Sequence, residues 1–270
     1  MQDVSYVLGH SRQEENRLQL QSAIIRPITH RLLREAGLSP GMRVLDLGCG
    51  AGDVTMLAAD MVGPSGSVIG IDRNPDILTT ARDRARNAGY TNIEFFESSR
   101  ANLAPRTIDM VVARYVLVHQ SEPAEFIRSA ASYARPGGVV AFHEVQGFGD
   151  INSLPRVPLW HEVWSWIVAG FATGMSHADA GARLIEHFSN AGLDLPTIFS
   201  ETPTGGGAAS PLYAWATLTL RSLLPRLESG SLIDAAKIDL DTLEDRVREA
   251  VTSARSQITF AQQYCAWTRV

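Results

Sequence analysis

The run Arg43-Val-Leu-Asp-Leu-Gly-Cys-Gly-Ala-Gly-Asp53 constrains this chain more than any other stretch. A short apolar segment at 43–47 reads as a buried strand, and a glycine-rich turn then opens onto a helix. Such a turn brings backbone close to a ligand, because a glycine carries no Cβ. The carboxylate of Asp46 stands immediately before the glycines, where it would repel a phosphate. A cationic amino-acid moiety would tolerate it. The dinucleotide fingerprint G-x-G-x-x-G also fails, because its third glycine would fall on Asp53.

The strand–turn–helix unit repeats downstream. A second strand at 67–71 delivers Asp72 to its carboxyl end, and Asn74 with Pro75 opens a helix over 75–88 that stops at Gly89. Strands follow at 93–96, 108–113 and 139–143, with a helix at 123–134 between the last two. Strands alternating with helices at this spacing predict an α/β fold, a Rossmann-like, doubly wound parallel sheet. Upstream, 11–36 reads as helical but is interrupted by Pro27, which predicts two helices or a kink. The second half is less regular. It reads as helices at 156–172, 178–191, 211–226 and 241–255, the last opened by an Asp241/Glu244 capping box, with strands at 195–201 and 257–268. The segment 202–210 reads as a hinge.

Composition narrows the function. The 270 residues, 45% of them apolar, suffice for a sizeable core. A net charge of −5 gives no reason to expect a nucleic-acid partner. Arg82, Arg84 and Arg86 are interleaved with Asp83 and read as a solvated helix face. Two cysteines make neither a metal site nor a disulfide framework, which points to a reducing cytoplasm. No signal peptide is evident in the opening residues, and no apolar run approaches the roughly 20 residues of a membrane span.

The chain resembles the class I S-adenosylmethionine (SAM)-dependent methyltransferases, in the small-molecule branch that includes the quinone-biosynthesis C-methyltransferases. The residues carrying the likeness are Val44 to Gly52, Gly70-Ile-Asp72, Asp109 to Ala113 on through His119, and Arg135-Pro-Gly-Gly-Val139. They cover 40–145 closely and the final strand loosely. The resemblance implies a seven-stranded sheet whose antiparallel last strand is inserted as a hairpin with strand six. It also implies a helical lid at 1–36 and a core at 37–270, with insertions near 146–180 and 205–255 capping the substrate.

The cofactor implied is SAM, leaving as S-adenosylhomocysteine (SAH). In that likeness Asp46 holds the methionine end, Gly48, Cys49 and Gly50 line the turn, and Asp72 accepts from the ribose hydroxyls. Arg73 borders the adenine, Ser98 and Ser99 stand where many relatives have Asp, and Ala113 and Arg114 meet the methionine portion. Tyr6 and Gln21 belong to a first segment that closes over the cofactor, or else to an ordinary polar helix face.

Three residues are candidates for catalysis. His119, after the fourth strand, could accept a proton from the methyl acceptor, or could be a packed histidine. His143 and Glu144 end the fifth strand, and alternation turns one of them toward the crevice, unless they are a strand-end pair. The tryptophans at 160, 164 and 166 read mostly as packing, with one ring reaching a substrate pocket. The function read is methyl transfer to O, N or C of a small, apolar or aromatic metabolite. The alternatives are a SAM-binding regulatory or assembly protein and an NAD(P)-dependent oxidoreductase. No metal is called for, and a homodimer stays open.

Overall fold

The computed structural model describes residues 12–99, 101, 103–146, 152–172, 174–230 and 238–270. The chain divides into two compact units. One holds residues 27–145, 179–200 and 263–270, and the other holds 1–26, 146–178 and 201–262. The division falls inside the first helix, α1 (Arg12–Glu35), at Pro27. The helix continues through Pro27, so of the two alternatives the pair of separate helices does not hold. Burial of Ile25, Ile28 and Leu32 accounts for this, since packing offsets the lost backbone hydrogen bond.

The first unit is built on a seven-stranded sheet. In chain order its elements are β1 (Arg43–Leu47), α2 (Asp53–Val62), β2 (Ser67–Asp72), α3 (Pro75–Asn87), β3 (Ile93–Glu97) and β4 (Ile108–Arg114). A 3-10 turn (Leu117–His119), α4 (Pro123–Tyr133) and β5 (Ala134–Val145) follow. α6 (Leu184–Asn190), β7 (Thr197–Glu201) and β10 (Gln263–Arg269) complete it. The strand order is β3-β2-β1-β4-β5-β10-β7, with β10 antiparallel to β5. This is the expected doubly wound sheet with its last strand inserted. β1 has β2 on one side and β4 on the other, both parallel to it, so the chain reverses its direction of travel across the sheet there. Ligands of such sheets bind at that switch point, outside the carboxyl ends of the strands. The core beneath joins Leu32 and Leu33 to Val44, Leu57, Val62, Val68, Met110 and Val139.

The second unit has β6 (Ser153–Leu154), α5 (Pro158–Ala172), β8 (Thr204–Gly205), α7 (Pro211–Ser229), α8 (Leu240–Ser253) and β9 (Gln257–Thr259). The three short strands form a sheet in the order β6-β9-β8. The segment 202–210 is therefore anchored rather than a free hinge, because Thr204 and Gly205 pair with Thr259 and Ile258. The strand expected over 257–268 is split into β9 and β10, in different sheets, with Phe260 and Ala261 buried between them. α8 starts at Leu240 and is capped by Asp239, whose carboxylate accepts from the N–H groups of Asp241 and Thr242. The helix expected over 178–191 is confined to α6, in the first unit. Ahead of it Gly181 lies so near Tyr264 and the Val145 carbonyl that a Cβ would stand 3.0 Å from each.

Candidate functional site

The glycine turn sits at the carboxyl end of β1. Its backbone is left-handed at Gly48 and Gly50, with φ of 69° and 52°. A Cβ on Gly48 would lie 2.6 Å from the Val116 side chain. A Cβ on Gly50 would meet nothing within 4 Å, so the turn borders open space at that point. The Gly50 N–H donates to Oδ2 of Asp72 at 2.9 Å, and the Asn74 N–H donates to Oδ1 at 3.0 Å. One carboxylate from the end of β2 thereby holds the turn after β1. Each of its oxygens keeps a lone pair for a further donor.

Asp46 is buried, and the Thr55 hydroxyl donates to its Oδ2 at 2.6 Å. Burial pushes its pKa up to about 7, against the lowering effects of the Thr55 bond and the Arg114 charge. A carboxylate held this way gains from an incoming cation, whose charge replaces part of the lost hydration. Cys49 is a buried free thiol, and burial together with the charges of Asp46 and Asp72 pushes its pKa well up. That environment makes it no nucleophile.

Beyond β2 and β3, the Ser98 N–H donates to the Asp72 carbonyl. The Ser99 hydroxyl donates to Glu97 at 2.8 Å, which leaves its oxygen able to accept from an amine. Arg73 is exposed, and its charge, after burial, is what lowers the pKa of His119. His119 ends the 3-10 turn behind β4. Ala113 is buried, and Arg114 donates to the Thr29 hydroxyl at 3.2 Å.

His143 and Glu144 are both fully buried. The imidazole Nδ1 lies 2.9 Å from the Thr29 hydroxyl, and Nε2 lies 3.1 Å from Oε1 of Gln263. An amide oxygen only accepts, so Nε2 carries the proton and Nδ1 accepts from Thr29. Gln263 Oε1 also accepts a hydrogen bond from the Tyr115 hydroxyl. Burial, then the Arg114 charge, pushes the His143 pKa down to about 3, so the ring is neutral. Oε1 of Glu144 accepts from the N–H groups of Val116 and Leu117, both at 2.9 Å. Burial pushes its pKa up to about 8 despite those bonds. Neither side chain opens to solvent. Both brace the segment that carries Tyr115, itself left-handed at φ 57°, and His119.

The turn, the two strand-end acids and the switch point coincide with a known pattern. Residues 38–171 match a protein family described as a methyltransferase domain. Just under half of the chain is thus similar to a methyltransferase domain. It is 39% identical over 105 residues to the ubiquinone biosynthesis O-methyltransferase of Aliivibrio fischeri, covering 38% of this chain and 43% of that protein. It is 30% identical over 136 residues to a ubiquinone/menaquinone biosynthesis C-methyltransferase of Pasteurella multocida, covering 45% of this chain and 51% of that protein. The chain thus spans about half the length, or less, of these curated relatives. A solved protein from Bacillus halodurans C-125 shares the fold at 17% identity, with a TM-score of 0.57 over 89% of this chain and 97% of that one.

Several residues that shape this region escape a reading of the sequence. Thr55, on α2, is the donor to Asp46, and a hydroxyl in the helix behind the glycine turn was the available signal. Arg84 is not solvated as expected. It donates to the Ala51 carbonyl at 2.6 Å and to Asp53 at 2.7 Å, bolting α3 to the turn. Thr29 and Gln263, which clamp His143, carried no signal at all, being 114 and 120 residues away from it. Tyr6 lies outside the described residues. Gln21 belongs to the other unit, where its Oε1 accepts from Arg17 and from the Trp215 indole. Among the described residues no cluster of His, Cys, Asp or Glu is arranged to hold a metal, and no helix is long and apolar enough to cross a membrane.

Proposed function

We propose that this protein is a SAM-dependent methyltransferase acting on O, N or C of a small, apolar or aromatic metabolite by in-line displacement. The observation carrying the reading is the Asp72 carboxylate holding Gly50, with open space beside that glycine, inside a matched methyltransferase domain. SAM supplies a methyl group already activated on its sulfonium, so the chemistry asks little of the protein beyond alignment and exclusion of water.

In this proposal Asp46 and Arg114 flank the amino-acid end of the cofactor. Gly48, Cys49, Gly50 and Ala113 line it with backbone, and Asp72 accepts from its ribose. Arg73, Ser98 and Ser99 border the adenine, with Ser99 accepting from the exocyclic amine. Tyr6 and Gln21 remain part of the proposal as residues of the closing segment, and 1–36, 146–180 and 205–255 as the substrate-facing segments. His119, uncharged at neutral pH, receives a proton where the acceptor arrives protonated. Burial of His143 and Glu144 supports a bracing role for both.

Quinone biosynthesis, named for two relatives, supports an aromatic or quinone-like acceptor, and secondary metabolism is the proposed setting. The two buried free thiols, Cys49 and Cys265, favour a reducing compartment such as the cytoplasm. A homodimer is left to sedimentation. Calorimetric titration with SAM, SAH and NAD(H) tests the whole reading. Saturable SAH binding without an NAD(H) signal is expected, and the reverse would sink it.

A further inference from the structure

In the second unit, α5 carries two indole N–H groups with nothing to bond. Trp160 is fully buried and Trp164 is 7% exposed, their ring centroids lie 6.2 Å apart, and neither Nε1 has a hydrogen-bond partner. On α7, which packs against α5, the hydroxyls of Tyr213 and Thr219 are also fully buried and unpartnered. The third tryptophan of the group differs, because Trp215 donates to Oε1 of Gln21 at 3.2 Å. Buried polar groups are bonded in the great majority of cases, and an indole nitrogen can only donate. The two indoles on α5 therefore call for an acceptor that the described residues do not supply.

The surroundings define what would fit. Trp164 and Trp215 lie 5.6 Å apart by ring centroid, and Phe260 lies 4.5 Å from Trp215 and 6.1 Å from Trp164, edge-on to both. Two charges that reach these side chains are paired, Arg17 through the Gln21 it shares with Trp215 and Arg248 over Tyr213. Arg17 is paired with Glu14, and Arg248 lies over the Tyr213 ring while paired with Glu244. Donors and π-faces without a free charge suit a neutral, flat, oxygen-bearing molecule.

We infer that the α5–α7 interior is a binding subsite for a neutral aromatic ring bearing a carbonyl or phenolic oxygen. The oxygen accepts from the Trp160 and Trp164 N–H groups, and the ring packs against Trp215 and Phe260. Naming this ligand as the methyl acceptor rests on the methyltransferase reading above, whereas the binding itself does not.

The test is a calorimetric titration with 2-acetylnaphthalene and 2-ethylnaphthalene, which share a ring system and differ by the carbonyl. The ketone is expected to bind at least about tenfold more tightly, as two hydrogen bonds require. Trp160→Phe and Trp164→Phe keep a ring and remove the donor. Each should reduce the ketone's advantage about 2- to 10-fold and leave the hydrocarbon and SAH affinities in place. Equal affinities in the unsubstituted protein, or an advantage surviving both substitutions, overturn the inference and assign the donors to water. The comparison of the two ligands stands even if a variant fails to fold. SAH binding without ketone preference rejects the subsite alone. Ketone preference without SAH binding keeps the subsite and rejects the methyltransferase reading.

Discussion

Asp72 holds Gly50 across 22 residues of sequence, its Oδ2 accepting the glycine N–H at 2.9 Å. The acid proposed to receive the ribose is thus also the brace of the turn beside it. Asp72→Ala removes both roles and should weaken SAH binding about 10- to 100-fold, the worth of one charged hydrogen bond. Asp72→Asn keeps an acceptor and should fall between. Calorimetry decides, and an unchanged affinity in Asp72→Ala takes the residue out of the site.

Asp46 gives a pH dependence with a definite sign. Unfolded, its carboxyl ionises near 3.8, whereas in the fold it keeps its proton up to about 7. Between those values the folded chain binds the extra proton, so stability falls as pH rises, by up to about 1.4 kcal/mol per unit. The contribution is complete below pH 3.8 and gone above about 7. A cation beside Asp46 favours its ionised form, so SAH affinity should rise with pH up to about 7 and then level. Asp46→Asn should flatten both curves, in melting temperature and in titration.

Thr55→Val preserves shape and deletes the hydroxyl that donates to Asp46. A buried acceptor losing its partner costs about 1–3 kcal/mol. The variant should melt lower at neutral pH and show its SAH affinity rising at a higher pH. A loss of stability with the affinity curve in place would leave Thr55 as packing only.

His119→Ala should lower turnover on a protonated acceptor about 100-fold or more, with SAH affinity within about twofold. The unsubstituted enzyme should lose rate on the acid side, with an apparent pKa below the ordinary 6.5 of an imidazole, because burial and Arg73 both disfavour the charged ring. Unchanged turnover in His119→Ala discards the proton-acceptor role.

The legible parts of this molecule are those written locally. β1, the turn, α2, β2 and α3 follow from apolar runs, glycines and the Asn74–Pro75 cap, each within a few residues of its partner. Even the inserted last strand is implied by the family likeness. What escaped depends on distance. Arg84 looks like one arginine among three on an exposed helix, and only the fold brings it 2.6 Å from the Ala51 carbonyl. The split of 257–268 is equally silent in sequence, because an alternating apolar pattern suits a strand in either sheet. At His143 and Glu144 β5 is covered on both faces, so alternation there separates two buried sides and names no solvent side.

The position of β10 sets a timetable for synthesis. β7 leaves the ribosome before β10, yet in the finished sheet β10 lies between β5 and β7. Until residue 269 has been made, the edge of β5 is unpaired, and β7 is already there to occupy it. A nascent chain that pairs those two strands must undo the match before the sheet can close. Pulse-labelled hydrogen exchange on chains newly released from the ribosome should therefore find the β10 amides among the last to be protected, and the segments between 201 and 262 determine how long the slot stays open.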